Sequence, residues 1–115
     1  MKREAGIYID DIIESISLVE RYIKAINKEK FDNNTQLQDA VIRRLEIIGE
    51  AAKNMPEDVK KEYPEVPWEK IAGMRNVLIH EYFGINIERV WKVVKEDLIV
   101  LKENIQKIKK DSENI

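Results

Sequence analysis

The chain has 115 residues, 43% of them apolar and 37% charged, with a formal net charge of −2. Its 4 Gly and 3 Pro leave little room for a turn-rich β fold, its 0 Cys exclude disulfides and thiolate metal sites, and its single His excludes a His-rich metal centre. The acidic balance also excludes gripping nucleic acid by overall charge, so any action on RNA has to come from a local basic site.

The length is that of one domain, residues 1–115, able to bury roughly two-thirds of its unfolded surface without staples. No basic-then-apolar leader opens the chain, and no run of about 18 apolar residues occurs, so a cytoplasmic protein without a membrane span is expected. The first element is a long amphipathic helix from about Glu4 to Asn27, with Ile9, Ile12, Ile13, Ile16, Val19, Tyr22, Ile23 and Ile26 recurring at spacings of three and four. The polar stretch from Lys28 to Asn34 follows, with Asp32-Asn33-Asn34 as a turn. Thr35 and Gln38 then fit a capping box for a second helix reaching about Asn54, its stripe being Leu37, Val41, Leu45, Ile48 and Ala52, widened by Ala40 and Ile47. Gly49 sits inside that helix, where it costs about 1 kcal/mol relative to Ala, a cost that close approach of another helix would explain.

Pro56 and Pro64 bracket a charged segment, Glu57 to Tyr63, that predicts a short helix or turn. Pro67 sets the start of a third helix, with Trp68 just inside it and Gly84 placed to end it after His80 or Tyr82. Asn86 can cap a last helix reaching about Lys109, with Ile87, Val90, Trp91, Val94, Leu98, Leu101, Ile105 and Ile108 on one face; residues 110–115 should fray. The expected fold class is therefore all-α, an up-down four-helix bundle with a short extra helix. Ile79, Phe83 and Ile85 remain as exposed-looking apolar residues, which makes a homodimer an expectation.

The third helix holds the candidate site. Arg75 offers a planar fork that clamps a phosphate and stabilises transition-state charge, and His80 can move a proton near neutral pH. Asn76, one turn before His80, can hydrogen-bond a phosphate or orient the imidazole. With the RNA 2′-hydroxyl as internal nucleophile, this set is sufficient to cut RNA without metal and leave a 2′,3′-cyclic phosphate. On a regular helix Arg75 and His80 stand about 140° apart, so either the helix loosens near His80 or a two-fold axis brings two copies of the site together.

Each of these residues also has a structural reading, which is the commoner one by residue type alone. A lone His at a helix C-terminus favours the dipole, Arg75 can pair with a carboxylate such as Glu81, and Tyr82 can be a half-buried packing residue. Trp68 and Trp91 read as core anchors, and Arg43-Arg44 and Lys92/Lys95 as solvated faces or a phosphate path. Glu46 and Glu50 share a helix face, but no Glu-x-x-His motif completes a bundle metal site, and they read as partners of Arg43 or Arg75. No Gly-rich phosphate loop and no His-Glu-x-x-His pattern occur, so neither metal nor cofactor is expected.

Taken together, Arg75-Asn76-x-x-x-His80-x-Tyr82 resembles the Arg-x-x-x-x-His-x-Tyr motif of the HepT-like toxins in the HEPN superfamily. Asp39-Ala40-Val41-x-Arg43-x-Leu45-Glu46-Ile47-Ile48-Gly49-Glu50-Ala51 resembles the family's second-helix signature. Trp68-x-x-Ile71-x-Gly73-Met74-Arg75-Asn76 and Ile79-His80-Glu81-Tyr82-Phe83-Gly84 resemble the third, and the likeness spans Ile7 to Leu101. The resemblance implies a HEPN-like homodimer and a metal-independent ribonuclease with Arg75 and His80 catalytic and Asn76 supporting. It also implies a toxin whose partner antitoxin, a minimal nucleotidyltransferase, transfers AMP to Tyr82. A rival expectation is a non-catalytic dimeric module that docks the nucleotidyltransferase or binds nucleotide, which the net charge of −2 favours.

Overall fold

The computed structural model describes residues 3–80 and 86–113, the stretch 75–80 by its backbone alone. Seven α-helices are found there and no strand: α1 (Arg3–Ile23), α2 (Lys28–Asp32), α3 (Thr35–Asn54), α4 (Glu57–Glu62), α5 (Trp68–His80), α6 (Ile87–Lys92) and α7 (Leu98–Glu113). A single π turn, Val93–Asp97, joins α6 to α7 in one continuous rod. Helices α1, α3, α5 and this rod are the four expected long elements. Helix α3 packs against both α1 and α5, and α1 packs along α7.

The core follows the apolar stripes. Ile9, Ile12, Ile16 and Val19 of α1 are buried against Val41, Leu45, Ile48 and Ala52 of α3 and Leu98, Leu101, Ile105 and Ile108 of α7. Ile42 and Ala51 are buried too, beyond the expected stripe, because α3 is covered from two sides, by α1 and α5. Gly49 is buried on that same helix.

Four features differ from expectation, each for a local reason. Helix α1 stops at Ile23 rather than Asn27, because Ala25 takes a φ of 62°, the left-handed conformation that commonly terminates a helix. The polar stretch after it is a second short helix rather than a plain turn. Asn27 caps α2 by accepting from the Lys30 N–H at 2.8 Å, and Phe31 is driven fully inside, 5.0 Å from the Trp91 ring.

At the start of α3 the cap is Asn34, not Thr35: the Asn34 Oδ1 accepts from the Leu37 N–H at 3.0 Å. Gln38 does not reach back to close a box. Its Nε2 donates to the carbonyls of Phe31 (2.8 Å) and Asp32 (3.1 Å) at the end of α2. Glu57–Glu62 is helical, as one of the two alternatives allowed. The last helix continues to Glu113, where fraying from residue 110 was expected. The Tyr63 hydroxyl donates to Asp111 at 2.9 Å and holds that turn down.

Candidate active site

Helix α5 is started by Pro67, whose carbonyl accepts from the Ile71 N–H at 3.0 Å. Its first residue is anchored. Trp68 is buried, its backbone N–H donates to Val66 at 2.8 Å, and its indole Nε1 donates to the Tyr63 carbonyl at 3.0 Å. Burial and the hydrogen bond to Asp111 push the Tyr63 phenol up to about 12. A chain of contacts therefore runs from the end of α7 through Tyr63 to the root of α5, and fixes where that helix points.

Arg75, Asn76 and His80 all lie on α5, whose helical backbone is unbroken from Trp68 to His80. Over this stretch Arg75 and His80 are separated by about 7.5 Å of helical rise and about 140° of rotation. The helix does not loosen before His80. Tyr82 lies outside the described residues, as do Glu81, Phe83, Gly84 and Ile85. The side chains of Val77, Leu78 and Ile79 lie outside them too. Gly73 stands directly before the Met74-Arg75-Asn76 segment, and a Cβ there would meet nothing within 4 Å. Among the described residues no close packing requires that glycine.

Among the described residues two clefts flank the α3–α5 region. The smaller, about 280 Å³, lies between α1 and α3 and is lined by Tyr8, Asp11, Arg43, Glu46, Glu50 and Asn54 among others. Within it Glu46 pairs with Arg43 at 3.4 Å, one of the two partners expected, and the Asn54 amide donates to the Glu50 Oε1 at 3.2 Å. The larger, about 920 Å³, is a groove between α5 and the α6–π–α7 rod. Lys70, Ile71 and Met74 form its α5 wall, and Arg89, Lys92, Val93 and Leu98 face them. Trp91 is half-buried against Phe31, with Lys95 Nζ 5.4 Å from its ring centroid. Lys95 does not line the groove that Lys92 lines. Lys70 and Arg89 were not singled out by sequence reasoning. The signal available was weak: Lys70 stands four residues before Met74, so the two share a helix face.

The Asn86 cap is present as expected, its Oδ1 accepting from the Arg89 N–H at 3.2 Å. Among the described residues no helix is long and apolar enough to cross a membrane.

Comparison with known proteins gives a consistent picture. Residues 12–108 match the family model "Ribonuclease HepT-like". A "Probable ribonuclease HepT" of Thermococcus cleftensis is 48% identical over 110 residues, covering 96% of this chain and 100% of that protein. A "Gamma-glutamylcyclotransferase and putative RNase" of Methanocaldococcus jannaschii is 47% identical over 108 residues, 94% of this chain but 49% of that longer protein. A "Putative RNase" of the same organism is 43% identical over 105 residues, 91% of this chain and 96% of the relative. No solved structure matches the chain.

Proposed function

Because the chain belongs to the HepT-like ribonuclease family, we propose that it is a metal-independent endoribonuclease acting in the cytoplasm as the toxin of a toxin–antitoxin pair. The observation that carries this reading is an intact Arg75-Asn76-x-x-x-His80-x-Tyr82 motif inside a family match that spans residues 12–108.

The reaction needs only groups the motif supplies. His80 takes the proton from a ribose 2′-hydroxyl, whose oxygen attacks the adjacent phosphorus. The bond from phosphorus to the 5′-oxygen breaks, that oxygen takes a proton from the imidazolium of His80 or of its copy across the two-fold axis as it leaves, and a 2′,3′-cyclic phosphate remains. Arg75 holds the phosphate oxygens and offsets the charge that gathers on them, and Asn76 orients either partner. A helix that is regular as far as His80 sets the two groups about 140° apart, which favours a site assembled from two copies across a two-fold axis.

Regulation follows from the same segment. In the proposed scheme the antitoxin, a minimal nucleotidyltransferase, directs the Tyr82 oxygen onto the α-phosphorus of ATP, and pyrophosphate leaves. The AMP adds bulk and negative charge beside the phosphate position that Arg75 would hold.

The test is cleavage of RNA by the purified protein in the presence of a chelator. Wild type should cut and leave cyclic phosphate ends, and Arg75→Ala and His80→Ala should each lose about 100-fold or more in kcat/KM. Undiminished cutting by either variant removes the catalytic assignment. A protein that cuts nothing, causes no growth arrest and still forms a stable complex with a nucleotidyltransferase is the binding module instead.

A further inference from the structure

The larger groove has a charge pattern that the motif chemistry does not use. Lys70 of α5 and Arg89 and Lys92 of α6 are exposed along it, and among the described residues none of the three has a carboxylate within ion-pair distance. Of the two carboxylates that line it, Glu88 is met by Lys28 at 3.6 Å, and Lys28 is itself held by Asp32 at 2.8 Å. Asp97 alone is left to oppose three free cations. In a chain whose formal net charge is −2, this is a local reversal of sign.

The rod is shaped to bring those cations there. Lys92 and Leu101 are nine residues apart, which an uninterrupted α-helix would set about 180° from one another. Both nevertheless line the groove. The π turn is responsible: the Leu98 N–H donates to the Val93 carbonyl five residues back, so one turn holds an extra residue and the register shifts by roughly 100°. Leu98 and Leu101 stay in the core while the cations of α6 face α5. The floor is apolar, with Ile71, Val93 and Leu98 all buried. Met74, on the α5 wall, directly precedes Arg75.

A groove with a cationic rim, an apolar floor and a wall that leads along α5 from Met74 to the backbone of Arg75 suits a sugar–phosphate backbone. We propose that it carries the single-stranded RNA flanking the scissile phosphate, with Lys70, Arg89 and Lys92 as positioning residues for successive phosphates. This rests on the ribonuclease reading for its orientation toward Arg75, but the binding itself can be measured without cleavage. The contacts are to phosphates, so the groove adds affinity without reading bases.

The experiment measures binding of a short fluorescent RNA carrying 2′-O-methyl groups, which lacks the nucleophile and stays whole, across a series of salt concentrations. The triple variant Lys70→Gln, Arg89→Gln, Lys92→Gln is compared with wild type and with Lys53→Gln, Lys61→Gln, Lys107→Gln, three exposed lysines outside the groove. The groove variant should bind at least tenfold more weakly at low salt, and its log–log salt slope should be shallower by about 2, at roughly 0.7 per lost phosphate contact. The control triple should stay near wild type. On cleavable RNA the loss should appear in KM rather than kcat. Equal weakening by both triples, or an unchanged slope in the groove variant, overturns the proposal. So does a shift in oligomeric state of the groove variant alone by sedimentation, which makes the groove a contact between copies. If wild type binds with the expected slope and cuts nothing, the groove stands and the nuclease reading falls.

Discussion

The side of the bundle formed by α1, α3 and α7 and the side formed by α5 and α6 are built on different terms. On the first, isoleucine, leucine and valine from three helices are buried side by side, many with no exposed surface at all. On the second, the described part of α5 buries Trp68 and Ile71, leaves Ala72 and Met74 half-covered, and faces a groove about 920 Å³ in volume. Among the described residues the first side carries most of the buried apolar surface, and the second carries the groove cations, Gly73 and a widened helical turn. Substitutions on the two sides should therefore separate folding from activity.

The largest effect expected is on chemistry with little effect on folding: Arg75→Ala and His80→Ala should lose 100-fold or more in RNA cleavage while thermal unfolding moves by only a few degrees. A large loss of stability in either variant would merge the two sides. The reverse case is Ile105→Ala or Leu45→Ala, each fully buried, which should cost about 2–5 kcal/mol in denaturant unfolding.

Tyr63→Phe tests the strut between the two sides. Losing its hydrogen bond to Asp111 should cost about 1–2 kcal/mol. It also carries a pH signature. The folded phenol ionises near 12 rather than the ordinary 10.0, so its stabilising contribution is complete below about pH 10 and is lost as pH rises toward 12. Alkaline unfolding of wild type should steepen in that window, the phenylalanine variant should be flatter there, and tyrosinate absorbance reports the titration directly. Smaller still, Gly73→Ala should stabilise α5 by up to about 1 kcal/mol, since the added Cβ meets nothing within 4 Å. If it stabilises the fold and lowers cleavage, the α5 side needs the freedom that glycine gives.

Periodicity carried most of the architecture, because burial on one face of a helix leaves its mark every three or four residues. With the start signals of Pro67 and Asn86 it placed α3 to within a residue, the Asn86 cap, and the Trp68 start of α5. It failed where tertiary contacts decide. Phe31 is a single aromatic in a polar run, and its burial rests on partners distant in sequence, the Trp91 ring among them. Gln38 has the sequence of a capping partner but serves the carbonyls of a helix that the polar stretch concealed. The π turn was illegible, because Val90, Val94 and Leu98 fit an ordinary four-residue spacing. What departs from it is Val93, buried as well and five residues before Leu98. As for the site, the motif named Arg75 and His80 through resemblance, while the groove cations depend on how two distant helices face each other.

That facing has an effect before any contact is made. The chain is acidic overall, yet its groove is basic, so the rest of the molecule carries more negative charge than the whole. Such a molecule behaves as an electric dipole. If the groove takes RNA, this local excess of positive charge should favour approach along it, over a range of roughly 10 Å at moderate salt. Encounters would then arrive already oriented, and raising the ionic strength should slow them over the same range in which it weakens binding.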